Sequence, residues 1–295
     1  MIFVHRGGLM LLTPELQAFN AITATGTVHA AAKQLGLTQT AVTRRLAALE
    51  AELGASLFLR SRRGMEMTDA GMALAGYCRQ MLDLEGETLA RVRGAAADVV
   101  TTVRFQGHSS IMRARILPAL RAVAGALPQL SLSCRIADVS SGALALKSGQ
   151  TDFAVLRRAE VASEFASKVL QPERYILVGP LAWLKRPLAD VVRTERIIDF
   201  DESDDMTFEW LTMANQRENA RHDRHFVNNT DALAALVAEG AGYSVLAAEF
   251  AAPLIEAGRI AQLGGRRFFD YPIALAWYPR RHMPLHFAAV VRAVR

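Results

Sequence analysis

The sequence predicts an α/β protein that carries a small helical head, and three observations say so. Before Ala55 the chain holds three short stretches of helical periodicity, punctuated by Gly26, Gly36 and Gly54. From Ala75 to Ala96 one narrow apolar stripe recurs at alternating three- and four-residue steps, the mark of a single long helix. Beyond Thr101, short apolar runs alternate with helical periods in the order strand, helix, strand, helix, strand, which reads as βαβ units.

The head is legible residue by residue. Thr13 is placed to cap a first helix with Pro14 at its first position, where a missing N–H costs nothing. Leu12, Leu16, Phe19 and Ile22 repeat at helical spacing, and Gly26 stops the run. Val28, Ala31 and Leu35 mark a second helix closed by Gly36, its small residues allowing close helix–helix approach. After Leu37 and Thr38 comes the stretch TQTAVTRRLAALEAEL, Thr38 to Leu53. At about 100° per residue, Val42, Leu46, Leu49 and Leu53 form its buried stripe, while Thr40, Thr43, Arg44 and Ala47 turn away from it. Such a face, small and hydroxylated with one guanidinium, suits a major groove, although an ordinary amphipathic surface helix would look similar. Three helices with a short turn before the third make a helix-turn-helix.

Leu57 and Phe58 then begin an extended segment that turns at Arg62, Arg63 and Gly64 and returns through Met65 to Met67. This is a two-stranded wing bearing Arg60, Arg62 and Arg63, suited to phosphate or the minor groove. Thr68 is placed to cap the long helix from Asp69. Its stripe of Ala75, Cys78, Leu82, Leu89 and Val92, imperfect at Glu85, reads as a dimerisation seam with a second copy.

Composition bounds the rest. The 295 residues suffice for two or three domains, and the net charge of +5 is densest before Thr68. There, seven Lys and Arg face four Asp and Glu, a balance that helps attract phosphate. Cys78 and Cys134 are far apart and unpaired in motif, which argues against a disulfide framework and fits a reducing cytoplasm. The N-terminus has no sustained apolar run with a cleavage site, so export is not expected; Met10 is an alternative start. Neither a cofactor nor a metal is implied. Gly240-Ala241-Gly242 lacks the third glycine of a dinucleotide loop, Gly107 to Ile111 fails the nucleophile-elbow pattern, and His222 and His225 lie among arginines. The run ESDDM reads as a solvated loop.

The run TGTVHAAAKQLGLTQTAVTRRLAALEAELGASLFLRSRRGMEMTDAG closely resembles the winged helix-turn-helix of LysR-type transcriptional regulators. Second helix, recognition helix, LF, arginine-rich wing, T-x-x-G and linker helix follow in the family's order. The resemblance implies DNA contacts from Gln39, Thr40, Thr43 and Arg44, with wing contacts from Arg62 and Arg63. Thr40 stands where the family commonly has Pro or Ser, so the base contact there is expected to differ.

The stretches LPAL, LKSGQTDFAVL and LVAEGAGYSVLAA resemble, more weakly, the family's effector-binding domain, related in fold to periplasmic solute-binding proteins. This implies two Rossmann-like subdomains joined by crossovers near 168–172 and 268–272. The expected division is a DNA-binding domain over 1–68, a linker helix over 69–98 and an effector domain over 99–295. Within the last, subdomain I covers about 99–170 and 270–295, and subdomain II about 171–269. An effector would bind in the cleft at the strand C-terminal ends. Ser109, Ser110, Ser140, Ser141, Arg157, Asp201 and Asn229 are its candidate contacts. The helix start at Ser109 and Ser110 suggests an anionic ligand, or simply a cap. Homodimers through the linker, homotetramers and a pseudo-palindromic duplex site follow from the resemblance. The competing readings are a thiol-redox regulator, and a binding protein or enzyme with an accessory DNA-binding module. No catalytic constellation supports an enzyme.

Overall fold

A computed structural model describes residues 12–61, 64–92, 100–137, 141–280 and 283–295. The contacts divide the chain into two compact units. The first spans Met1–Arg104 with Gln129–Ser131 and Ala143–Asp152; the second comprises Phe105–Pro128, Leu132–Gly142 and Phe153–Arg295.

In the first unit, α1 (Pro14–Thr25), α2 (Val28–Leu35) and α3 (Gln39–Leu53) each begin at a threonine whose hydroxyl accepts a backbone N–H, and each ends at a left-handed glycine. These caps satisfy groups that would otherwise face each other unpaired in a bundle this small. Ala18, Phe19, Ile22, Ala31, Val42, Leu46 and Leu49 close one core. Leu53, expected on the buried stripe, is instead 49% exposed, because the last turn of α3 runs past the packed helices. The strands β1 (Phe58–Ser61) and β2 (Gly64–Met67) pair antiparallel as a wing. Phe58 packs against Phe19 with the rings tilted, and the Met65 N–H bonds the Gly26 carbonyl at 2.9 Å, tying the wing to the head.

The long helix α4 runs Asp69–Val92. Its Ala75 and Cys78, expected on the dimer seam, are buried in the head's own core. That expectation is corrected: a stripe's period does not say which neighbour it packs against, and here the three-helix head claims the first turns.

The rest of the chain is built on two larger sheets and a small two-stranded one. The first has the order β4-β3-β5-β13-β6, formed by β3 (Thr101–Gly107), β4 (Leu130–Ile136), β5 (Phe153–Arg157), β6 (Ala166–Val169) and β13 (Ile273–Trp277). After β3 comes one continuous helical run: α5 (Ser109–Ile111), a π turn (Met112–Ile116) and α6 (Leu117–Ala126). Pro118 has no N–H to close an α turn onto Ala114, and the backbone is wound wider there. The short α7 (Gly142–Lys147) precedes β5.

The second sheet centres on β7 (Glu173–Pro180), flanked by β10 (Ser244–Ala247) and β11 (Ile260–Gln262), with β12 (Phe269–Tyr271) also on β7. Between them lie α8 (Leu188–Thr194), β8 (Ile197–Asp199), α9 (Met206–Met213), β9 (Arg224–Phe226), α10 (Thr230–Ala238) and α11 (Ala248–Glu256). Alternate residues of β7 feed two cores, Ile176 and Val178 on one face and Leu177 on the other. The chain leaves the first sheet after Val169 and enters the second at Glu173; it returns across Pro272, and α12 (Leu285–Ala293) closes on the first sheet through Phe287 against Phe153.

The expected βαβ pairing is found between the first and third strands of this domain but does not extend to every strand. β3 and β5 are parallel, as are β8 and β9, but β13 runs antiparallel to β5 and β6, and every partner of β7 is antiparallel. A strand that re-enters a sheet from a neighbouring subdomain is not bound by the helical crossover that makes a βαβ pair parallel.

Candidate functional site

In the head, Gln39, Thr40, Thr43, Arg44 and Ala47 are all exposed, while Val42, Leu46 and Leu49 are buried. The Gln39 amide nitrogen lies 3.0 Å from His29 Nδ1, so the start of α3 is braced from α2. The face is uncharged apart from one guanidinium and carries no bulky apolar group, which is what close approach to base edges requires. Arg62 and Arg63 lie outside the described residues.

In the second unit a cavity of about 390 Å³ opens between the two sheets' subdomains. Its walls come from strand ends and the loops that follow them. His108 and Ser110 follow β3, Arg157 ends β5 with Glu160 after it, and Phe200, Asp201, Ser203, Asp204 and Asp205 follow β8. Met206 and Glu209 of α9, Thr230 and Leu233 of α10, the β10 residues Val245 to Ala247, and Tyr175 and Tyr271 complete it.

Ser110, Arg157 and Asp201 therefore line the cavity, as read from the sequence. Ser109 does not line it; its hydroxyl meets Thr230 Oγ1 at 2.6 Å, a polar bond between the subdomains. Asn229 caps α10 by accepting the Ala232 N–H at 2.9 Å, and Ser141 accepts from the Gln106 amide at 2.8 Å; neither is a wall residue. Ser140 lies outside the described residues. The run dismissed as a solvated loop, Glu202 to Met206, supplies much of one wall, and its position directly after a strand end was the signal that could have found it.

The electrostatics are unusual in two places. Glu173, at the start of β7, is buried and accepts the Ser110 hydroxyl at 2.8 Å. Burial pushes its carboxyl up from 4.5 to about 7, the bond from Ser110 and the nearby Arg115 guanidinium countering only part of that. Asp199 is likewise raised to about 6 by burial, although Thr207 donates to it at 2.6 Å and Arg224 at 2.8 Å. The same Arg224 guanidinium donates to the carbonyls of Asp204 and Glu202, fixing the acidic loop from behind. Asp201 is held below the ordinary carboxylate range by the side chain and backbone of Ser203.

The π turn contributes a hinge clamp. Arg115 donates to Glu249 at 2.7 Å and to the carbonyls of Gln171 at 2.6 Å and Pro172 at 3.0 Å, the residues of the first crossover. Arg113 pairs with Asp231. Cys78 is buried and its thiol pushed up to about 11 by burial, against a hydrogen bond with Asn20, which leaves it almost wholly protonated and weakly nucleophilic. Among the described residues there is no cluster of side chains that could hold a metal, and no helix is long and apolar enough to cross a membrane.

The model for the bacterial regulatory helix-turn-helix protein, lysR family, matches residues 13–72, and that for the LysR substrate binding domain matches 96–295. The chain is 30% identical over 291 residues to the transcriptional regulator PtxR of Pseudomonas aeruginosa, covering 95% of this chain and 91% of that one. The crystal structure of ArgP from Mycobacterium tuberculosis superposes with a TM-score of 0.81 at 23% identity, covering 96% of each chain. Full-length LysG of Corynebacterium glutamicum, solved with bound effector Arg, gives a TM-score of 0.73 at 22% identity over 96% of each chain. With a matching head and a matching effector domain that together span nearly its whole length, this chain belongs to the LysR family of bacterial DNA-binding transcriptional regulators.

Proposed function

We propose that the exposed face of α3 enters the major groove of its operator, with Gln39, Thr40, Thr43 and Arg44 reaching bases or phosphates. The wing arginines Arg62 and Arg63 would follow the adjacent backbone. A small-molecule effector occupies the cavity between the effector subdomains and biases the protein between two arrangements, which requires that it bind one of them better. The protein works as a dimer through α4, with dimers pairing through their effector domains, so its site is a pseudo-palindrome with half-sites about one helical turn apart.

The observation that carries the DNA reading is the division of α3 between a buried aliphatic stripe and a wholly exposed polar one. Operators selected from a random duplex pool provide the test. Arg44→Ala should weaken the selected site by about 1–3 kcal/mol while affecting random duplex less. Equal discrimination by the variant and the parent would remove Arg44 from base reading.

A further inference from the structure

We infer that the cleft takes a small organic cation bearing an amine or guanidinium group, a conclusion that rests on reading the cleft as the effector site. Three independent features of the cavity carry it.

The first is charge. Among the described residues, Glu160, Asp201, Asp204, Asp205 and Glu209 stand in the wall with Arg157, and Arg224 backs the acidic loop, so carboxylates outnumber guanidinium groups. Asp204 is consumed by the backbone N–H groups of Phe200 and Met206, each at 3.0 Å, whereas Glu160 and Asp205 stay exposed around the opening. In a partly desolvated cleft such an imbalance attracts cations and repels anions.

The second is the helix start at Ser110. A helix N-terminus ordinarily favours an anionic ligand group. Here the protein's own carboxyl group already occupies that position: Ser110 Oγ donates to Glu173 Oε1 behind the cavity wall. With its proton committed to Glu173, the Ser110 hydroxyl is not free to donate to an anionic ligand group, so this helix start does not call for one.

The third is a cation already in place. The Arg157 guanidinium sits 4.9 Å from the centre of the Tyr271 ring and 4.0 Å from Glu209. The wall thus holds one guanidinium between a carboxylate and an aromatic face, the geometry that recognises such groups. The cavity volume of about 390 Å³ lies at the lower end of ligand pockets, the size for one small metabolite.

Thermal unfolding and titration calorimetry of the full-length protein with L-arginine, putrescine, succinate and benzoate test this. At least one of the two cations should raise the melting temperature, since a ligand confined to the native state stabilises it. Glu160→Lys with Glu209→Lys, both exposed and safe for folding, should weaken that cation more than tenfold. Ala247→Trp, which fills the cavity, should abolish its binding. A shift from succinate or benzoate that Ala247→Trp removes would leave the cleft as effector site and overturn its charge class. A cation shift that survives Ala247→Trp in a variant that still folds and binds DNA would overturn the cleft reading itself. No shift from either cation, or a cation bound equally well by the double lysine variant, would overturn the inference.

Discussion

Glu173 shows what a single buried group contributes. The unfolded chain releases its proton near the ordinary 4.5, whereas the native protein keeps it until about 7. Because the native state binds the extra proton, stability falls as pH rises through this window, and the loss is complete above 7. A shift of this size corresponds to a cost on the order of 3 kcal/mol. Glu173→Gln keeps the shape and the acceptor for Ser110 but cannot ionise. The variant's melting temperature relative to the parent should therefore climb between pH 5 and pH 8, with Arg115 and Glu249, the nearest charged groups, unchanged in both. A difference that stays constant across that range would show that Glu173 does not titrate there. Asp199 adds a similar decline from about 4 to about 6 in both proteins, so the comparison cancels it.

At the start of α4, short-range chemistry explains the T-x-x-G pattern. Thr68 Oγ1 accepts the Gly71 N–H at 3.0 Å and donates to the Ser56 carbonyl at 2.7 Å. A β-carbon on Gly71 would come within 2.1 Å of the Leu57 carbonyl oxygen, so the segment leading into the wing and the helix meet across a glycine. Gly71→Ala should cost about 1–3 kcal/mol, as overpacking usually does, and Thr68→Ala about 1 kcal/mol through the lost cap. Both would be read in the head's thermal unfolding; an unchanged Gly71→Ala would mean that the wing can retreat freely. Signals of this kind were legible in the sequence because caps and turn glycines act within a few residues. The rest of the acidic wall was not, because Asp204, Asp205 and Glu209 gain their meaning from Ser110, Arg157 and Tyr271, which the fold brings from distant parts of the chain. Glu173 was invisible for the same reason: nothing near it in sequence says that it will be buried behind Ser110.

For the assembled regulator, the question is which part of α4 remains to meet a second copy. Ala75 and Cys78 are spent on the head, and the side chains of Leu89 and Val92 lie outside the described residues. On the outward side of the same helix, Tyr77 is 53% and Leu84 58% exposed, seven residues apart and so one heptad along a single face, with the half-buried Met81 between them. Leu82, on the expected seam, is half-buried. The dimer contact is therefore proposed to centre on Tyr77, Met81 and Leu84 and to continue toward the C-terminal turns. Leu84→Glu with Tyr77→Glu would place like charges across a two-fold seam, and the dimer should dissociate at micromolar concentration in light scattering. Operator affinity should fall far more than for Arg44→Ala, because each monomer then holds one half-site without its linked neighbour. A charged variant that still scatters as the parent does would move the seam off this face.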